Sequence, residues 1–321
     1  CLILLLAATR SDYLCLSSES AVCVGIIWNM NATSLPIPTI IKGKRPLRIG
    51  VHPANLHLVL ASRWEGTFPN IAVEFIRYAN GRDSAALLAT GEIDICGTSS
   101  TVPIFAAANG QNVTFLAASA QRRRDGALAV STDSDIMTVQ DLAGKTIGLA
   151  EGSFQTYLLA KALEKEGLNL NDVITRDVLP AEGLAALQQA QLDALITFAP
   201  YQDYALTTGT MRLLQGSEAL IPNRSVFWTT QAQTIGAYTI ASFFDGLERL
   251  GRDIPHNIDQ AAYILATDDT SPGLRRAWHK AIVARNWSIH HINTTILREL
   301  QDEADALFRH HVLKHQVNLL A

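Results

Sequence analysis

Serine and threonine gather at two places where an apolar strand gives way to a helix. Gly97-Thr98-Ser99-Ser100-Thr101 follows the apolar IDIC and precedes Val102-Pro103, and proline suits a first helical turn. Glu151-Gly152-Ser153-Phe154-Gln155 follows TIGLA and precedes a second helix. Each turn offers backbone N–H groups and hydroxyls at the positive end of a helix dipole, which suits an oxyanion such as a sulfonate, carboxylate or phosphate. N-capping alone accounts for either turn taken singly, because Ser and Thr are favoured at that position. Two such turns in corresponding places, both at strand C-termini, point instead to one shared cleft. Phe154, Phe198, Tyr201, Phe227 and Trp228 are candidate walls, and Phe198-Ala199-Pro200-Tyr201 again ends a strand.

Covalent chemistry finds no comparable foothold. The chain carries no G-x-S-x-G elbow, and Cys96 sits inside a strand, where it reads as a small buried hydrophobe. His290-His291 and His310-His311 are adjacent pairs, with His315 four residues beyond His311, but no third ligand has matching spacing. These histidines read as exposed surface in a polar tail. Neither a G-x-G-x-x-G nor a Walker sequence is present. No catalytic residue, metal or cofactor is expected, and the chain reads as a binder, not an enzyme. Arg122-Arg123-Arg124 reads as a solvated charge run with a secondary role in attracting an anion.

The elements that must position these turns follow from length and pattern. At 321 residues the chain is twice the usual domain size, so two domains or a bilobed one is the prior. Hydrophobic residues make up 48% and charged residues 17%, which is ample for a core. Lys plus Arg total 26 against 30 Asp plus Glu, a net charge of -4 that gives no reason to seek nucleic acid. No apolar run approaches the ~20 residues that span a bilayer. Three of the four cysteines, Cys1, Cys15 and Cys23, lie in residues 1–46, which read as a leader and linker. Cys1–Ala8 resembles the remnant of a secretory apolar segment, Thr33–Pro46 suits an exposed linker, and folded structure is expected from Leu47.

From there strands and helices alternate with short connections. Strands are expected at Leu47–Val51, Ile71–Ile76, Ile93–Gly97 and Val113–Ala118, with helices at Leu56–Trp64, Asp83–Ala89 (capped by Asp83) and Val102–Asn109. The alternation restarts after Ser131, with strands at Thr146–Leu149, Thr175–Val178, Ala194–Thr197, Leu213–Leu214 and Ser225–Thr230. From Thr239 onward only helices are expected. Two blocks of βα units and a helical tail describe two α/β lobes with largely parallel sheets.

These residues resemble a known family, the substrate-binding proteins of ABC importers for aliphatic sulfonates, nitrate and taurine, related to the thiamine-pyrimidine binders. The matching pieces are LRIGV, LLATGEIDICGTSSTVPIFAAANG, MTVQDLAGKTIGLAEGSFQTYLLAKALEKEGL, AALQQAQLDALITFAPY and NRSVFWTT, with GRDIPHNIDQAAYILA and LQDEADALF in the tail. The resemblance implies a type II periplasmic-binding-protein fold. Residues 47–130 plus 231–321 would form one lobe and 131–230 the other, with Ala127–Ser131 and Val226–Thr230 crossing as a two-strand hinge. It implies an exported, periplasmic monomer that hands a small alkanesulfonate-like anion to the transmembrane subunits of a permease. The family's usual Gly-Asp then Pro-Pro reads Ser99-Ser100-Thr101-Val102-Pro103 here, and its Trp-Asp-Pro-Tyr reads Phe198-Ala199-Pro200-Tyr201. Losing two acids suits an anion without an amine and argues against taurine.

The expected site joins Ser99, Ser100 and Thr101 from one lobe to Ser153, Phe154 and Gln155 from the other around one anionic head group. His52 and Asn55, in the loop after the first strand, lie at the same cleft, Phe198 lines its apolar wall, and Phe227 sits near the hinge. A binder of a thiamine-precursor pyrimidine would need a stacking aromatic pair and polar edge contacts instead. The fungal pyrimidine-precursor synthases share the fold but carry a cysteine-rich run, whereas here only Cys96 lies in the body.

Overall fold

The computed structural model describes residues 45–266 and 271–320. Residues 1–44, with Cys1, Cys15, Cys23 and most of the expected leader, lie outside the described residues. The first block runs β1 (Leu47–Val51), α1 (Leu56–Ala61), β2 (Val73–Arg77), α2 (Ser84–Ala89), β3 (Ile95–Ser99), α3 (Thr101–Ala108) and β4 (Thr114–Ser119). The second runs β5 (Ala127–Ser131), β6 (Thr146–Leu149), α4 (Phe154–Lys165), β7 (Ile174–Asp177), α5 (Pro180–Gln188), β8 (Ala194–Thr197), α6 (Tyr201–Thr208) and β9 (Met211–Gly216). The chain then returns through β10 (Ser225–Thr229), α7 (Ala232–Ile235), α8 (Ala237–Asp253), α9 (Ile258–Leu265), α10 (Pro272–Ala284), β11 (Ile289–His291) and α11 (Thr294–Arg309).

Two sheets result, ordered β11-β4-β10-β3-β1-β2 and β7-β6-β8-β5-β9. Each is mixed. β1 pairs in parallel with β2 and β3, and β6 with β7 and β8, as βα crossovers require. β10 inserts antiparallel between β3 and β4, and β5 inserts antiparallel between β8 and β9. These returning strands are buried on both faces, which is why ALAVS and SVFWT read as continuous apolar runs.

Sheet membership moves the expected hinge. β5 pairs only within the second sheet and β10 only within the first, so neither strand crosses. The crossings are the irregular segments 120–126 and 217–224, which bond to each other. Arg122 N donates to Asn223 O at 3.1 Å, Ser217 N to Gly126 O at 3.0 Å, and Ser217 Oγ to Arg123 O at 2.9 Å. Period-two alternation reports a strand but not its sheet, so the boundaries expected at 130 and 230 each fall a strand late.

The tail departs from expectation too. β11 adds a strand to the edge of the first sheet, with Ile289 opposite Ser119, so the tail is not all helix. Three residues are too short for periodicity to register. Nor do the tail helices keep to one lobe. α8 and α9 pack on α1, whereas α10 packs on α9 and on α6 of the second lobe, and α11 spans α3 and α4. Apolar side chains of α11, among them Leu297, Leu300 and Leu307, join one buried cluster with Leu128, Leu158 and Ile104 from both lobes. Asp83 makes no capping bond; Asn80 Oδ1 instead accepts from Arg82 N at 3.1 Å and opens the 3-10 turn before α2.

Candidate functional site

The C-terminal ends of β1, β3, β6 and β8 face the gap between the lobes, where open sheets bind ligands. At the end of β1, His52 is 6% exposed and its Nε2 lies 3.0 Å from Gly97 O. Burial pushes the imidazole down to about 4. It is therefore neutral at pH 7, donating from Nε2 to the carbonyl, and supplies no positive charge to an anion. Asn55 opens α1, its Oδ1 accepting from Leu58 N at 3.0 Å. Its Nδ2 is buried with no partner. Gly97 makes room for that amide, since a Cβ there would lie 2.3 Å from Asn55 Nδ2.

The two Ser/Thr turns part company here. Ser99 ends β3, part-exposed. Ser100 Oγ donates to Glu303 Oε2 at 2.5 Å, and Thr101 Oγ1 donates to the other oxygen of the same carboxylate. The expectation that those two hydroxyls reach the ligand is corrected, because α11 delivers a carboxylate that uses both. Burial pushes Glu303 up to about 7, against the pull of the two hydroxyls. In the second turn Ser153 caps α4, accepting from Gln155 N at 3.2 Å and donating to Ala150 O at 2.7 Å. The Gln155 side chain folds back to accept from Ala150 N at 2.8 Å. The partners of Ser153 and Gln155 are local, while Glu151 N at the start of the turn donates to Asp177 Oδ1 at 3.0 Å.

Phe154 and Phe198 meet edge to face with centroids 5.6 Å apart, joining the α4 turn to the β8–α6 turn. Phe227 is 0% exposed and packs edge-on to His57 and Phe244, so it belongs to the core and not to the cleft wall. Arg122 is not a solvated charge. Its side chain is 8% exposed, its Cζ stands 5.9 Å from the Phe154 ring, and it donates to Asn223 and pairs with Asp125. Arg285 pairs with Asp125 from the other side, and Asp125 also accepts from Ala199 N at 3.0 Å. Burial raises the Asp125 carboxyl, but the two guanidinia and the amide outweigh it and hold the group below its usual range.

Residues that sequence reasoning missed are Glu303, Asp125 and Arg82. Arg82 Nη1 reaches from the first lobe to Glu151 O (3.1 Å) and Asp177 Oδ2 (3.0 Å) in the second, clasping the cleft's rim. Neither contact has a local signal, since the partners that Arg82 reaches across the lobes and those of Glu303 lie 69 or more residues away. On one side of the contact zone between the lobes lies a cavity of about 620 Å³ that includes Arg82 and Glu151, and on the other one of about 430 Å³ that includes His52 and Tyr201. Among the described residues no group of three His, Cys, Asp or Glu gathers as a metal site, and no helix is long and apolar enough to cross a membrane.

Known proteins match this arrangement. A family model described as NMT1/THI5 like matches residues 69–225. A curated protein of Escherichia coli (strain K12), named for binding aliphatic sulfonates, is 30% identical over 217 residues, covering 64% of this chain and 68% of that protein. The crystal structure of the periplasmic aliphatic sulphonate binding protein from Escherichia coli superposes with a TM-score of 0.77 at 25% identity, over 86% of this chain and 96% of that one. The alkanesulfonate-binding protein from Xanthomonas axonopodis pv. citri, bound to MOPS, shares the fold with a TM-score of 0.76 at 24% identity, over 85% and 95% of the two chains. The chain belongs to the aliphatic sulfonate-binding protein family, and its two mixed sheets give it the bilobed α/β fold of the periplasmic binding proteins.

Proposed function

We propose that this protein is the solute-binding component of an ABC importer and captures a small organic anion, an aliphatic sulfonate, between its lobes. The observation that carries the ligand class is the 30% identity to the Escherichia coli protein named for aliphatic sulfonates. The geometry supports it physically. The α4 N-terminus with Ser153 supplies oriented donors, and Asn55 Nδ2 adds an unspent one from the facing lobe. Such donors hold an oxyanion without burying a counter-charge that must itself be desolvated. Ser99 completes the head-group site from β3, while Phe154 and Phe198 form the apolar wall beside it.

Binding of this kind closes the lobes around the segments 120–126 and 217–224, and the closed form is what the permease would recognise. No step of that cycle makes or breaks a covalent bond, and delivery from the periplasm fits the relatives. The test is thermal unfolding with ethanesulfonate, taurine, nitrate, sulfate and a pyrimidine. A ligand at 100 times its Kd stabilises the fold by ~2.7 kcal/mol, a clear rise in Tm. Ethanesulfonate should give it. A rise with the pyrimidine alone would overturn the assignment.

A further inference from the structure

The two cavities that flank the lobes' contact differ in chemistry. The larger one carries the Glu151 carboxylate and the Arg82 guanidinium, with Gly152 and Thr156 from the start of α4 and a single aromatic ring, Phe105, apart from His310. The other, of about 430 Å³, lies between the β1–α1 turn, the β8–α6 turn and α10. Its walls are His52, Leu56, Tyr78, Tyr201, Leu274 and Trp278, and no Asp or Glu among the described residues lines it. Arg63 and Arg77 also line it and lend positive potential, Arg77 donating to Ser62 Oγ at 3.1 Å with no carboxylate as its recorded partner.

Three aromatic rings are more than a short linear chain needs. A volume of this order falls in the range of sites that enclose ring-bearing small molecules. Flat aromatic walls reward a flat aromatic guest through offset or edge-to-face packing as well as area. This face also continues the proposed site, because His52 bonds to Gly97 beside Asn55, and Pro200-Tyr201 follow directly on Phe198. Resting on the sulfonate reading above, we infer that this face holds the ligand's organic body and selects an arenesulfonate over a short linear alkanesulfonate. Trp278 on α10 and Tyr201 on α6 are its specificity-determining residues. α10 packs on α6 across the lobes, and this brings the two walls together.

Calorimetry on the full chain with methanesulfonate and benzenesulfonate tests this. Benzenesulfonate should bind about tenfold tighter, equivalent to ~1.4 kcal/mol. Trp278→Ala should erase that preference to within about twofold and leave methanesulfonate affinity unchanged, while Trp278→Phe retains most of it. Tyr201→Ala should reduce the preference likewise, which keeps the test open if one variant folds poorly. Phe105→Ala, in the opposite cavity, should leave the preference intact. Methanesulfonate binding as tightly as benzenesulfonate would overturn the ring preference while leaving the sulfonate reading standing. So would loss of the preference in Phe105→Ala but not in Trp278→Ala. If neither sulfonate binds, the sulfonate reading falls and takes this one with it.

Discussion

The β3–α3 and β6–α4 turns have the same grammar, a buried strand, a run of small polar residues and a helix, yet they end in opposite states. In the first, a carboxylate from α11, some 200 residues away, takes the Ser100 and Thr101 hydroxyls. In the second, the bonds of Gly152, Ser153 and Gln155 stay within five residues, and only Glu151 reaches further, to Asp177, Thr175 and Arg82. The glycines differ to match. Gly97 is extended and leaves space for Asn55 and Phe227, whereas Gly152 sits at φ +69 with only Arg82 nearby. One turn is therefore tied to a distant helix, and the other is held mostly by its own residues. Equivalent sequence patterns supply equivalent donors, but a third segment decides which of them remain available.

The sharpest break of that comparison is expected at the glycines. Gly97→Ala drives a Cβ into Asn55 Nδ2 and the Phe227 ring and should cost ~3 kcal/mol in urea unfolding. Gly152→Ala strains only the backbone and should cost ~1 kcal/mol. Equal losses would erase the distinction between a packed turn and an open one.

Glu303 gives the next largest effect, read against pH. The folded protein holds that proton up to about 7, while the unfolded chain releases it near 4.5, so the folded state binds the extra proton between those values. Stability should therefore fall as pH rises from 4.5 through 7, by ~3 kcal/mol, and then level off for this group. Glu303→Gln should flatten that slope in denaturation curves taken across the window. A slope unchanged in Glu303→Gln would mean that the carboxylate is not what seals the first turn.

Ligand affinity separates the turns directly. Ser153→Ala should weaken sulfonate binding roughly tenfold, because loss of the cap that ties Ala150 O to Gln155 N loosens the α4 N-terminus and its backbone donors. Ser100→Ala should stay within about twofold, since that hydroxyl is spent on Glu303. Comparable losses in both would return the first turn to the site. The smallest effect is expected at the rim. Arg82→Ala removes a half-exposed ion pair to Asp177 worth ~0.5 kcal/mol, so stopped-flow release of ligand should quicken about twofold with little change in the on-rate. An unchanged release rate would mean that the clasp does not hold the lobes together.

Much of this was legible from local pattern. LRIGV, TIGL and ALIT form where their periodicity and turn signals put them, because burial of neighbouring residues acts within a few positions. Ser153 caps α4 as its type and place require, and Cys96 is buried in its strand. The family and its fold were legible as well, from the order of motifs along the body. Other features depended on partners far along the chain. Arg122 looked like one of three surface arginines until Asp125, Asn223 and Arg285 enclosed it. Phe227 looked like a cleft wall until His57 and Phe244 covered it.

The sequence by itself determined the alternating βα blocks, the two polar turns at strand ends and the lack of nucleophile, phosphate-loop or zinc motifs. Only the tertiary structure decided where the chain crosses between lobes, that β11 completes the first sheet, and which turn a distant carboxylate ties down. The physical reason is range. Strand and helix periodicity and capping are settled by neighbours a few residues apart, whereas Ser100 and Thr101 lose their freedom to a carboxylate that arrives only when α11 lies across both lobes.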